Sequence, residues 1–175
     1  MGPCVSESQL KTVMEYVEIG KNEGARLVAG GHRLEGGAYA KGWFHEPTIF
    51  VDCDPKSRLM QEEIFGPVVS VTAVDDLDQA IEVCNGTVFG LSSSIYTRNV
   101  NSAFRAMRDV HTGIVYVNAP TIGAETHMPF GGVKQTGNGH REAAVACLDF
   151  YSEWKTLYID YSDRLQRAQI DTGGF

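Results

Sequence analysis

The sequence predicts an α/β domain with a largely parallel sheet flanked by helices, and three observations predict it. Apolar residues recur at helical spacing in three segments, near residues 6–23, 76–86 and 100–110. Short runs rich in β-branched residues lie between those segments. The connections are short, as they are where strands and helices alternate around a parallel sheet. At 175 residues the chain fits one domain, and such a domain buries roughly 70% of the surface its unfolded form exposes.

The first helix is expected over residues 6–23, where Leu10, Val13, Met14 and Val17 share one helical face. Ser6 or Ser8 suits its N-cap and Gly24 its stop. Arg26 to Ala29 is a short strand closed by Gly30-Gly31, and the glycine-rich stretch from Leu34 to Gly42 is a loop. Thr48 to Val51 follows Pro47, which predicts an edge or irregular strand because proline cannot donate to a ladder. Val68 to Val74 is β-branched and reads as a strand.

Asp76 opens a second helix, with Leu77, Ala80, Ile81 and Cys84 on one face and Asn85-Gly86 at its end. Leu91 to Tyr96 is a strand. Val100 to Val110 is a third helix, with Ala103, Phe104, Met107 and Val110 expected to face the core. Gly113 to Val117 is the next strand. The pattern then stops from Ala119 to Gly139, a stretch with five glycines and two prolines. A loop of that length in a compact domain is usually functional or disordered. Arg141 to Cys147 is expected to be a short helix, Trp154 to Ile159 a final strand, and the remainder a tail.

Composition excludes several functions. The net charge of −7 and the scattered basic residues, apart from Arg164 to Arg167, disfavour a nucleic-acid partner. Four dispersed cysteines and five dispersed histidines give no metal or redox spacing, so no metal is expected. Reduced thiols fit a cytoplasmic protein. The sequence shows no secretory signal pattern, and no apolar run approaches the ~20 residues of a membrane span.

Two constellations carry chemistry. In Gln61-Glu62-Glu63-Ile64-Phe65-Gly66-Pro67, a carboxylate and an aromatic two residues apart would project to one side of an extended segment. Such a pair suits sugar hydroxyls and a flat ring; a polar turn with Phe65 anchored in the core is the plainer alternative. In Pro129-Phe130-Gly131-Gly132-Val133-Lys134, two glycines permit close approach to a ligand and Phe130 could wall a pocket. Plain linkage is the alternative there. Gly137-Asn138-Gly139 follows no strand and lacks the dinucleotide fingerprint.

Trp43-Phe44-His45-Glu46-Pro47-Thr48, Glu62 to Pro67, Phe89-Gly90-Leu91-Ser92, Val115-Tyr116-Val117-Asn118 and Pro129 to Lys134, in that order, resemble the NAD(P)-dependent aldehyde dehydrogenase superfamily. Ala119 to Glu125 and Thr136 to Glu142 are most similar to its α-ketoglutarate semialdehyde (2,5-dioxopentanoate) dehydrogenases. The resemblance implies residues 1–150 as the C-terminal part of the catalytic domain, 151–160 as an assembly strand and 161–175 as a tail. It implies that Glu63 holds the nicotinamide ribose and Phe65 positions the nicotinamide ring of NAD or NADP. Phe130 would line the aldehyde tunnel, and the loop from Thr121 and Ile122 to His127 would meet the far end of the substrate. Glu142 would support the site structurally, and the intact enzyme would be a homo-oligomer.

The family oxidises an aldehyde to a carboxylic acid through a cysteine thiolate in a Gly-Gln-x-Cys type segment, with a glutamate activating water. No such segment occurs in this sequence. Cys84 and Cys147 lie on apolar helix faces, Cys53 sits between two aspartates, and Cys4 matches a structural stretch, so no catalytic residue is expected on this chain. The leading expectation is therefore the last third of such an enzyme, inactive alone. The alternative is a non-catalytic module that self-associates through its C-terminal strand, whose unpaired edge is a template for pairing.

Overall fold

A computed structural model describes residues 1–164; the part of the expected tail beyond Arg164 lies outside the described residues. Helix α1 (Glu7–Asn22) is capped by Ser6, whose hydroxyl accepts the Gln9 N–H at 3.2 Å. Strand β1 (Arg26–Ala29) pairs antiparallel with β2 (Thr48–Val51), and β2 pairs parallel with β3 (Val68–Ser70). Helix α3 (Leu77–Asn85) leads to β4 (Ser92–Ile95), and α4 (Val100–Asp109) to β5 (Ile114–Val117), which pairs parallel with β4. The α/β class and the largely parallel pairing hold. The strands form two sheets, of three strands and two.

The core of the first half is Val17, Phe50, Cys53 and Leu59, with Leu27, Met60, Ile64 and Val68 packed around it. Leu59 belongs to α2 (Arg58–Gln61), a four-residue helix that hydrophobic periodicity is too short to reveal. Glu23, at the end of α1, caps it: its carboxylate accepts the N–H groups of Arg58 and Leu59 at 3.0 and 3.3 Å. A carboxylate there satisfies donors that a helix start leaves unpaired.

Four expectations need correction. The strand after Pro47 is the centre of its sheet and not an edge, because the proline lies one residue before the ladder and costs it no donor; its pairing with β1 does contain a register shift, between Leu27 and Ala29. On α4 the buried stripe is Ala103 and Ala106, while Phe104 and Met107 are exposed. Helical spacing allowed both stripes, and the one with small side chains lets the helix approach its neighbours closely. The last helix, α5 (Ala146–Tyr151), begins five residues later than expected, since Glu142 is held in a backbone bridge to Phe130 and Ala143 and Ala144 then take left-handed conformations, φ 63° and 49°, that a right-handed helix cannot include. Residues 152–160 form no strand: the segment has no neighbouring strand to supply ladder bonds.

Candidate functional site

The glutamate turn is built by contacts from α1. Tyr16 donates its hydroxyl to Glu62 Oε2 at 2.5 Å, and Arg58 Nε donates to both carboxylate oxygens at 3.0 Å. The Arg58 guanidinium, first, and the Tyr16 hydroxyl, second, hold the Glu62 carboxyl below the usual carboxylate range. The reciprocal bond to Glu62 pushes the Tyr16 phenol up. Glu62 is thus committed to structure. Its neighbour Glu63 is exposed and, among the described residues, has no hydrogen-bond or ion-pair partner.

Two residues on, Phe65 has φ 54°, a left-handed conformation rare for a bulky side chain. The Gln9 side-chain amide holds that turn, donating to the carbonyls of Ile64 and Phe65 at 2.8 and 3.0 Å. The backbone is therefore not extended through Phe65, and simple strand alternation does not govern its direction. The ring is 81% exposed, so the core-anchor alternative for it fails. It borders a cleft of about 630 Å3 with Cys4, Val5, Gln9, His45 and Gly66. His45 is only 4% exposed; its Nδ1 lies 2.7 Å from the Glu46 carbonyl, and its Nε2 has no partner. Burial, the largest influence, pushes this imidazole below its ordinary value.

The second constellation is held by close backbone contacts. Phe130 and Glu142 exchange two backbone hydrogen bonds of 2.7 Å, closing the loop between them. Within it, Val133 N–H donates to the Gly90 carbonyl at 2.9 Å, and Gly90 N–H to Thr136 Oγ1 at 2.9 Å. A Cβ on Gly113 would collide with the Gly131 carbonyl, so the start of β5 touches the loop backbone directly. Lys134 Nζ donates to the carbonyls of Asn85 and Thr87 at 2.8 and 2.9 Å, tying the loop to the end of α3. Its role is structural, and cations are favourable at a helix C-terminus.

Half-buried Phe130 lines a cleft of about 470 Å3 with Tyr116, Ala124, Glu125, Met128 and Arg141. Arg141 Nη1 donates to the Gly132 carbonyl at 3.0 Å. Sequence reasoning missed this cation, because a lone arginine after a glycine-rich loop carries no signal of its own. Thr121 and Ile122 are exposed and do not line this cleft. The structure thus gathers Phe130, Gly123 to Glu125, Met128 and Arg141 in one place, and Phe65 with Cys4 and His45 in another.

Exposed Phe65, with the exposed carboxylate of Glu63 two residues before it in the chain, has the chemistry to meet one end of a nicotinamide nucleotide, but Glu63 does not line the cleft that Phe65 borders. A free carboxylate can accept from ribose hydroxyls, and an exposed aromatic face can pack against a flat ring. No described group of three or more His, Cys, Asp and Glu side chains could hold a metal ion. Of the cysteines, Cys53 is buried in the core, Cys84 has its thiol pushed up by burial, and Cys147 donates to the Ala144 carbonyl.

The aldehyde dehydrogenase family model matches residues 1–157. The α-ketoglutarate semialdehyde dehydrogenase of Haloferax volcanii is 49% identical over 162 residues, 92% of this chain and 34% of that protein. The α-ketoglutaric semialdehyde dehydrogenase of Bacillus subtilis is 40% identical over 159 residues, 91% of this chain and 33% of that protein. The structure of the P. syringae indole-3-acetaldehyde dehydrogenase AldA, a C302A mutant in complex with NAD+ and IAA, superposes with a TM-score of 0.85 at 40% identity. That match covers 91% of this chain and 31% of AldA. The chain thus spans about a third of the length of the relatives it matches.

Proposed function

Because the chain belongs to the aldehyde dehydrogenase family, we propose that it forms part of an NAD(P)-dependent enzyme that oxidises an aldehyde to a carboxylic acid. We take α-ketoglutarate semialdehyde as the aldehyde. The observation carrying this reading is the 49% identity with a dehydrogenase of that name across 92% of the chain.

In this reading Glu63 accepts hydrogen bonds from the nicotinamide ribose and Phe65 packs against the ring. Gln9 and the Tyr16–Glu62–Arg58 cluster keep both in place. Bound NAD(P)+ would supply the acceptor for the substrate's hydride. Phe130 excludes water beside the aldehyde, and the loop containing Thr121 and Ile122 meets its far end. The thiolate and the water-activating glutamate belong to parts of the enzyme that this sequence does not match. The intact enzyme is a cytoplasmic homo-oligomer in this reading. Four unpaired thiols support the compartment. None of the described helices is long and apolar enough to cross a membrane.

The test is a chimera in which this chain replaces the matched segment of the B. subtilis relative. It should form NADH or NADPH when given α-ketoglutarate semialdehyde; a folded chimera without turnover would overturn the proposal. The purified chain alone should form none.

A second reading has its own observation. Trp154 is 90% exposed, and Leu157, Tyr158 and Ile159 are exposed beside it. An unpaired apolar segment of this kind could make the chain a non-catalytic module that self-associates. Sizing chromatography with light scattering separates the two, since a strictly monomeric chain eliminates the module.

A further inference from the structure

Asparagine followed by glycine is the pair most open to ring closure between a side-chain amide and the next backbone nitrogen, because glycine has no Cβ to shield that nitrogen. The chain holds two such pairs, Asn85-Gly86 and Asn138-Gly139, in opposite settings. Asn85 ends α3 and is half-buried. Its side-chain amide donates to the Asp109 carbonyl at 2.8 Å and accepts the His111 N–H at 2.7 Å. The Gly86 nitrogen is engaged as well, donating to the Val83 carbonyl at 3.1 Å. Neither reacting group is free there. Asn138 and Gly139 are both exposed. Among the described residues, Asn138 Nδ2 and the Gly139 N–H have no hydrogen-bond partner. Asn138 Oδ1 accepts the His140 N–H at 3.1 Å, which folds the side chain back over the Gly139 peptide. The space beside Gly139 is open: a Cβ there would have no neighbour within 4 Å.

We infer that Asn138 is a modification site, where spontaneous deamidation installs aspartate or isoaspartate and reshapes the glycine loop. The Gly139 nitrogen bonds to Asn138 Cγ, and its proton passes through solvent to the departing Nδ2, which leaves as ammonia when the Cγ–Nδ2 bond breaks. Water then opens the resulting succinimide at either carbonyl. Isoaspartate carries the main chain through the side-chain carbon and so lengthens the loop by a methylene. The loop has no slack for it. Phe130 and Glu142 close it with their paired backbone bonds, and a Cβ on Gly137 would collide with the Gly132 carbonyl. Asn138 also borders one cleft with Phe130, His140 and Glu142, so the change reaches the Phe130 wall. The chemistry needs only this chain's own residues and water.

The test incubates the full chain in warm neutral buffer, with and without urea, and follows both sites by tryptic peptide mapping with mass spectrometry. In buffer, the peptide from Gln135 to Arg141 should gain the aspartate and isoaspartate forms while the one carrying Asn85 stays intact. Asn138 should convert about tenfold faster than Asn85 or more, because reaction at Asn85 first requires an opening that breaks its hydrogen bonds. In urea the two rates should converge. Asn138→Gln, whose longer side chain closes such a ring poorly, should abolish the conversion and leave the far-UV circular dichroism unchanged. The amide NMR signals of Phe130, Gly131 and Gly132 should move in the isoaspartate fraction. Three results would overturn the inference: equal rates at the two sites in buffer, an Asn138 that converts in urea but not in the folded chain, or isoaspartate that leaves those three signals in place.

Discussion

At the scale of residues, two adjacent glutamates have different fates for a geometric reason. Glu62 lies where Tyr16 and Arg58 converge, whereas exposed Glu63 bonds to neither. The motif singled out Glu63 and Phe65 in the sequence, but not what holds them. Nothing local signals that Phe65 is left-handed, because the cause is Gln9, 56 residues earlier in the chain. Strained residues of this kind cluster at functional sites. In the chimera, Glu63→Gln should raise the cofactor KM by about ten- to a hundredfold, since losing a charged acceptor costs roughly 1.5–3 kcal/mol. Its thermal midpoint should stay unchanged; an unaltered KM would remove Glu63 from the cofactor site. His45 gives a pH prediction. Burial depresses its folded pKa, so the unfolded chain takes up the proton first as pH falls. Stability should be complete above about pH 6.5, fall below it, and level off beneath the folded pKa. Urea titrations of wild type and His45→Phe between pH 5 and 8, a window set at roughly the titration range of histidine, should differ in slope only on the acid side. Equal slopes would mean that His45 does not titrate differently on folding.

At the scale of elements, the sequence predicted helices where caps and periodicity coincide. Ser6, Asp76 and Asn99 each accept a backbone N–H two or three residues on, and each begins a helix that the pattern had already placed. Asn99 accepts two, from Asn101 and Ser102 at 2.9 and 3.2 Å. Asn99→Ala should therefore lower stability by about 1 kcal/mol, read from the denaturation midpoint at constant m. A change near zero would mean that water replaces the cap. Elements fixed by distant partners were not legible. The α2 helix depends on Glu23, and the start of α5 on the Phe130–Glu142 bridge, both contacts between separate segments. The glycine loop is an intermediate case: its close approach was expected, but the sequence could not show that the approach is to β5. Gly113→Ala forces a Cβ against the Gly131 carbonyl and should cost about 1–3 kcal/mol. The loss should be accompanied by amide NMR shifts in residues 129–136, and a neutral substitution would place the loop elsewhere.

At the scale of the whole molecule, the sequence conveyed the class of fold but not its division. Each strand pairs according to its own contacts, and no local pattern records that β3 and β4 lack a common partner. The core cluster around Phe50 draws only on the first half, from α1 through β3. The second half is joined by β4–β5 pairing, by Lys134 and by Asn85, whose side chain donates to the Asp109 carbonyl and accepts the His111 N–H. Among the described residues, the one side-chain hydrogen bond between the halves runs from Gln61 to the Gly86 carbonyl at 3.2 Å. Cooperativity requires shared buried contacts, so two units joined this thinly should open with separate free energies. The fluorescence of Trp43 reports on the first unit once Trp154→Phe removes the other tryptophan. Far-UV circular dichroism follows the helices of both. Their urea transitions should not coincide, and the fluorescence curve should match only one of two dichroism phases. Superimposable transitions would mean that the halves unfold together.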